Sequence, residues 1–225
     1  MSINIAIDGP AGAGKSTIAK RVAKELEYIY VDTGAMYRAM AYYFLQKGIS
    51  PEDEGKISKE CKNAEISIAY QNGEQQVILN GENVTAYIRK EEVGNMASAT
   101  SVYPKVREKL VELQKELAKK SNVIMDGRDI GTYVLPKAKA KFFITASVQE
   151  RAKRRYLELK AGGQERPIEQ LEAEIAARDK TDSEREFAPL RQAEDAILVD
   201  TTHMSIEEVV RFVVKKAREA YPNDL

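Results

Sequence analysis

Gly9-Pro10-Ala11-Gly12-Ala13-Gly14-Lys15-Ser16-Thr17 is the stretch whose reading decides the fold. It matches the pattern G-x-x-x-x-G-K-[ST] from Gly9 to Ser16. Glycines let such a loop wind closely around a phosphate with its backbone N–H groups pointing inward, and the helix that follows adds the positive end of its dipole. Lys15 reaches the β- and γ-phosphates of a nucleoside triphosphate, and the Ser16 hydroxyl is placed to ligate magnesium. Residues 9 to 17 are therefore the candidate binding site for a triphosphate, ATP before others. The loop specifies a bound nucleotide and leaves the fate of its γ-phosphate open, since switches, motors and kinases all use one.

The surroundings fit that mechanism. Ile3, Ile5 and Ile7 alternate with small or polar residues up to Asp8, which predicts a strand ending at the glycine turn. From Lys15 the spacing turns helical, with Ile18, Val22 and Leu26 on one face as far as Glu27. Tyr28 to Asp32 reads as a second strand and Met36 to Lys47 as a second helix. Further on, strands are predicted at Asn122–Asp126, Lys141–Thr145 and Ala196–Asp200, and helices at Pro104–Lys120, Val148–Lys160, Pro167 to about Arg185, and Ile206–Ala220. Strands and helices alternating at crossover spacing predict an α/β fold of the P-loop NTPase type, a central parallel sheet in three layers. Residues 63 to 87 break the rhythm: short β runs around Ile66, Ile68 and Val77-Ile78-Leu79 are separated by Asn72-Gly73 and followed by Asn80-Gly81. They predict a small antiparallel insertion. Gly162-Gly163 reads as a hinge or loop.

Composition narrows the chemistry. The 225 residues are 43% hydrophobic and 31% charged, which suits one globular domain with a substantial core. No apolar run approaches the length that spans a bilayer, and the first residues lack the basic and apolar regions of a signal peptide, so the expected location is the cytoplasm, with no membrane partner. Lysine plus arginine and aspartate plus glutamate stand at 35 each, so net charge predicts no nucleic-acid partner. One cysteine, Cys61, excludes an internal disulfide and a cysteine-rich zinc site. One histidine, His203, read as a surface residue, leaves little room for a Ser-His-Asp hydrolase or most zinc enzymes. Lysine, arginine, aspartate, hydroxyls and backbone amides remain, and phosphoryl transfer is the reaction class that runs on them.

Four charged groups supply an acceptor side. Asp32-Thr33-Gly34-Ala35-Met36-Tyr37-Arg38 begins at a strand end, where open α/β sheets place ligands, and Arg38 suits a phosphate clamp. Asp126-Gly127-Arg128-Asp129 follows the apolar run Val123-Ile124-Met125 at another strand end. Arg151, Arg154 and Arg155 share one helical face leading to Gly162-Gly163, as a closing lid requires. Arg178, Asp182 and Arg185 form one stripe, which also permits ion pairing within the stripe.

With those residues in view, the chain closely resembles bacterial cytidylate kinase, a nucleoside monophosphate kinase family of P-loop kinases. The resemblance runs through Ile7-Asp8-Gly9-Pro10 and the loop, 32–38, Glu92 to Glu108, Asp126 to Thr132, Glu150 to Arg155, and Arg178-Asp179 through Ala188-Pro189-Leu190. It implies ATP-dependent phosphorylation of CMP and dCMP with magnesium, by a monomer. It implies one domain over 1–225, with a core at about 1–36, 104–150 and 187–225, an acceptor-binding region with the insertion at about 37–103, and a helical lid at about 151–186. It implies that Arg38, Arg128, Arg178 and Arg185 hold the acceptor phosphate, that Asp182 binds the sugar hydroxyls, and that Ser98, Arg107 and Asp129 read the cytosine. Base chemistry agrees, because cytosine offers an exocyclic amine suited to a carboxylate and acceptors suited to arginine. Thr33 keeps the hydroxyl that some members carry on serine, and Lys15, Arg128, Arg178 and Arg185 are the implied catalytic set. At Lys180 and Thr181 some members carry Asp and Arg, so those two are not assigned. The competing readings are a kinase for UMP, AMP or shikimate, and, from another class, a nucleotide switch or a nucleic-acid-dependent ATPase.

Overall fold

A computed structural model describes residues 2–71 and 73–222 of the chain. In chain order its elements are β1 (Asn4–Asp8), α1 (Lys15–Leu26), β2 (Ile29–Asp32), α2 (Thr33–Gln46), α3 (Glu54–Glu60), β3 (Ile66–Gln71), β4 (Glu74–Leu79), β5 (Glu82–Asn83), α4 (Glu91–Thr100), α5 (Pro104–Lys120), β6 (Val123–Gly127), β7 (Ala140–Thr145), α6 (Val148–Ala161), α7 (Ile168–Glu184), β8 (Ile197–Asp200) and α8 (Ile206–Ala220). They form two compact units, Met1–Tyr30 with Ser121–Leu225, and Val31–Lys120.

The first unit is built on a five-stranded sheet of order β2-β6-β1-β7-β8, in which β1 pairs parallel with β6 and β7, and β7 parallel with β8. β2 enters this unit through Ile29 and Tyr30, the Ile29 amide donating to the Asn122 carbonyl at 3.0 Å. β1 forms where the isoleucine alternation predicts a strand, and Ile5, Ala6, Ile7 and Asp8 are all buried. A parallel sheet has its faces covered by the elements that connect its strands, so the alternation separates large from small side chains rather than inside from outside. Helix α1 lays Ile18, Val22 and Leu26 on the core, and α8 meets it with Val209, Val210, Val213 and Val214. Ser205 and Glu208 close a reciprocal cap at the start of α8, satisfying amides that the first turn leaves open. Ala152, Leu159 and Leu171 form a smaller core between α6 and α7.

The second unit holds the antiparallel sheet β3-β4-β5 and helices α2 to α5. Ile66 faces Leu79 and Gln71 faces Glu74, which is the expected hairpin. Gly73 takes φ 77° in the connection, and Asn72 lies outside the described residues. Two helices escape the periodicity reading, α3 and α4, both short, the latter with Gly94 inside it. Helix α2 starts three residues earlier than its apolar spacing suggests, because Asp32 caps it by accepting the Ala35 amide at 2.8 Å. Among the described residues no helix is long and apolar enough to cross a membrane.

Candidate active site

The phosphate loop leaves β1 through Gly9 at φ 147°, where a Cβ would sit 1.9 Å from the Ile144 carbonyl oxygen, so only glycine fits. Gly14, at φ 85°, reverses the chain into α1 without a side-chain cap, and the first-turn amides are left to a ligand. Lys15 is buried, its Nζ donating to the Pro10 carbonyl at 2.7 Å across its own loop. Burial, with the charge of Arg128 added, pushes its pKa down to about 7, against the opposing pull of Asp126 and Asp8. The Ser16 hydroxyl donates to Asp126 at 2.7 Å, and the Tyr30 hydroxyl donates to the other oxygen of the same carboxylate at 2.9 Å.

The arginines of α6 make different contacts. Arg151 is buried and donates to the Ala11 and Ala146 carbonyls, both at 2.9 Å, while pairing with Asp179 at 2.7 Å. Arg154 donates to the Thr201 carbonyl at 2.9 Å and pairs with Glu150 at 3.2 Å, and its guanidinium lies 3.7 Å from where a Gly14 Cβ would be. Arg155 points to solvent and pairs with Glu158 at 3.3 Å.

Next to the loop, the β6 end gathers a charged network. Arg128 Nε donates to Asp182 at 2.8 Å. Arg185 lies 3.6 Å from both Asp129 and Asp182 and donates from Nε to the Ala188 carbonyl at 2.8 Å. Arg185 is the C-cap of α7, where the expected helix ends, so its side chain reaches Asp182 of the same stripe and also Asp129 beyond β6. Burial would raise the Asp182 pKa, but Arg128, Arg185 and the exposed Arg178 together hold it below the ordinary carboxylate range.

Asp8 is the residue that sequence reasoning missed. It is buried, and its oxygens accept the amides of Ile130 at 2.8 Å and Gly131 at 2.7 Å. Burial raises its pKa to about 7 against those two hydrogen bonds. The available signal was a carboxylate at the last position of an otherwise apolar strand.

The second unit carries the remaining candidates. Arg38 folds back on Asp32 at 3.1 Å, and Thr33 is buried in the first turn of α2. Arg107 is fully buried, donates to the Ser101 carbonyl at 3.1 Å and lies over the Tyr37 ring, 5.2 Å from its centroid. Ser98 is half-buried, its carbonyl accepting from the Ser101 hydroxyl at 3.0 Å, so α4 and the start of α5 hold Ser98 and Arg107 through a shared neighbour.

The family model described as cytidylate kinase matches residues 5–219. The chain belongs to the cytidylate kinase family. Curated cytidylate kinases agree along their length: that of Caldicellulosiruptor bescii is 54% identical over 223 residues, covering 99% of each chain, and that of Geobacillus sp. strain WCH70 is 54% identical over 218 residues, covering 97% of each. Among solved structures, a gluconokinase from Sinorhizobium meliloti is similar at 13% identity with a TM-score of 0.49, covering 98% of this chain and 94% of that one. Among the described residues of this cytidylate kinase family member no group of three or more His, Cys, Asp or Glu side chains is gathered to hold a metal. A hydroxyl and a carboxylate in contact, Ser16 and Asp126, are hard oxygen donors of the kind magnesium takes when substrate phosphates complete its shell.

Proposed function

We propose that the chain transfers the γ-phosphoryl group of ATP to CMP or dCMP. The observation that carries this reading is a phosphate loop beside the Arg128–Asp129–Asp182–Arg185 network, which joins the end of β6 to α7, in a chain of this family. The nine residues 9 to 17 take the triphosphate, with Lys15 on its β- and γ-phosphates. Ser16, with Asp126 behind it, fits magnesium, which when bound neutralises phosphate charge. Arg38, Arg128, Arg178 and Arg185 take the acceptor phosphate, Asp182 the sugar hydroxyls, and Ser98, Arg107 and Asp129 the base, with Thr33 alongside. Residues 37–103 then serve the acceptor and 151–186 act as the lid. Arg151 and Arg154, which touch the phosphate-loop side, are better suited to follow the donor than Arg155.

The acceptor phosphate is already an anion, so no side chain has to remove a proton from it. Its oxygen forms a bond to the γ-phosphorus as the bond to the leaving ADP oxygen breaks, and Lys15 with the arginines neutralises the charge that spreads over the transferring group. Fixed Asp129 favours the cytosine amine and disfavours the uracil carbonyl at the same place. A monomer in the cytoplasm, with ATP and CMP or dCMP as its ligands, completes the reading.

Phosphorus NMR of a mixture of protein, magnesium, ATP and CMP tests it. The expected outcome is CDP appearing in step with ADP, with little free phosphate. Free phosphate without CDP would make the chain a hydrolase or a switch instead.

A further inference from the structure

We propose that Asp8 is a positioning residue for phosphoryl transfer, holding Arg128 and Asp129 at their working aim relative to the phosphate loop; the inference rests on the kinase reading above. Both carboxylate oxygens are taken up by backbone amides 122 and 123 residues further along, from Ile130 at 2.8 Å and Gly131 at 2.7 Å. Those two amides belong to the residues directly after Arg128-Asp129. They open a single π-type turn over Ile130–Val134, in which the amides of Tyr133 and Val134 both donate to the Asp129 carbonyl, at 2.9 and 3.1 Å. Asp8 therefore caps from a distance the turn that fixes the backbone of Asp129, much as a local residue caps a helix.

The other end of the tether is rigid. Asp8 is in register with Gly127 on one side and Phe143 on the other, and the next residue is Gly9, pressed against the Ile144 carbonyl. One side chain thus ties the first residue of the phosphate loop to the segment carrying the acceptor arginine. The contact is also tight on the far side, since a Cβ on Gly131 would lie 3.3 Å from Asp8 Oδ2 and 3.2 Å from Lys141 Cδ. Both oxygens are engaged by protein amides, so Asp8 is placed to act on the site through the backbone of Ile130 and Gly131.

Asp8→Asn tests this. The new side chain keeps one acceptor and turns its NH2 toward the second amide, leaving that amide without a partner. The expected result is a fall in kcat of about 10- to 100-fold with a raised KM for CMP, the range seen when a residue that orients a working group is lost. The Kd for ATP should stay within about two-fold, and hydrogen exchange should speed at Ile130 and Gly131 but not along α1. Asp8→Glu keeps the charge and both acceptors but adds a methylene that displaces the turn, so it should lower kcat too, and it carries the test should Asp8→Asn fail to fold. Wild-type kcat and KM in the folded fraction of either variant, or unchanged exchange at Ile130 and Gly131 in Asp8→Asn, would overturn the proposal. A wild-type chain that makes no CMP-dependent ADP would instead sink the kinase reading, and the exchange data would still decide whether Asp8 fixes the turn.

Discussion

Lys15→Ala is expected to lower kcat for CMP phosphorylation by roughly two to three orders of magnitude, the cost of losing one charged donor aimed at developing charge in a water-poor site. Stability should not fall with it. The folded-state pKa of Lys15 lies near 7, below its ordinary value of 10.5, so burying the ammonium works against folding at every pH below that ordinary value. Removing the amine relieves that penalty, and the empty variant should melt at the same temperature or higher. Phosphates in the loop reverse the sign: their charge favours the ammonium and draws the pKa back up, so ATP binding above about pH 7 should take up protons and weaken as pH rises. Calorimetry in two buffers of different ionisation enthalpy reads that uptake, which should shrink in Lys15→Ala. Turnover within ten-fold of wild type would remove Lys15 from the role assigned to it.

Arg128→Ala should cost more, because it removes a substrate ligand and an internal partner together. An arginine stabilising the transferring phosphoryl group is worth about 10³ or more in rate, so kcat/KM for CMP should fall by at least that much. Within the protein, Asp182 loses the guanidinium that donates to it at 2.8 Å, and Arg185 at 3.6 Å stays beside it. Breaking a largely buried pair from one side costs about 3 kcal/mol. The Asp182 pKa is depressed in the folded state, so its contribution is present above the ordinary aspartate value of 3.8 and disappears as pH falls through the folded value. Urea unfolding at pH 7 should therefore separate wild type from variant, and unfolding at pH 3 should bring them closer. Arg128→Lys should recover part of the stability and little of the rate, since an ammonium lacks the planar fork. Equal stabilities at pH 7 would contradict the pairing, and near-normal turnover would contradict the catalytic role.

Local chemistry was legible in the sequence and distant pairing was not. The phosphate loop can be read from residues 9 to 17 because its glycines, lysine and serine act on one ligand within one turn of chain. The strand ends at Asp32 and Asp126 were legible because apolar runs stop there, and α1 and α8 because their apolar faces repeat at helical spacing. Arg178, Asp182 and Arg185 were legible as one stripe because they recur at helical spacing, and Asp182 and Arg185 lie 3.6 Å apart, but the approach of Arg185 to Asp129 involves a partner on another element that spacing does not show. Asp8 was silent because its partners are backbone amides 122 residues away, which carry no side-chain signature. Arg107 could be named from the family resemblance, but spacing alone does not tell that it is fully buried over Tyr37. Short helices such as α4, with a glycine inside and few apolar positions, fall below what periodicity resolves.

The central claim is that Arg38, Arg107, Arg128, Asp129, Asp182 and Arg185 turn a general phosphate loop into the donor half of a kinase for cytidine monophosphates. Initial rates of ADP formation with CMP, dCMP, UMP, AMP and shikimate as sole acceptors, at fixed magnesium and ATP, test it most directly. The account predicts that CMP and dCMP lead, with UMP well behind because Asp129 meets a carbonyl in place of an amine, and AMP and shikimate near background. Equal rates for UMP and CMP, or a rate indifferent to the acceptor, would contradict it.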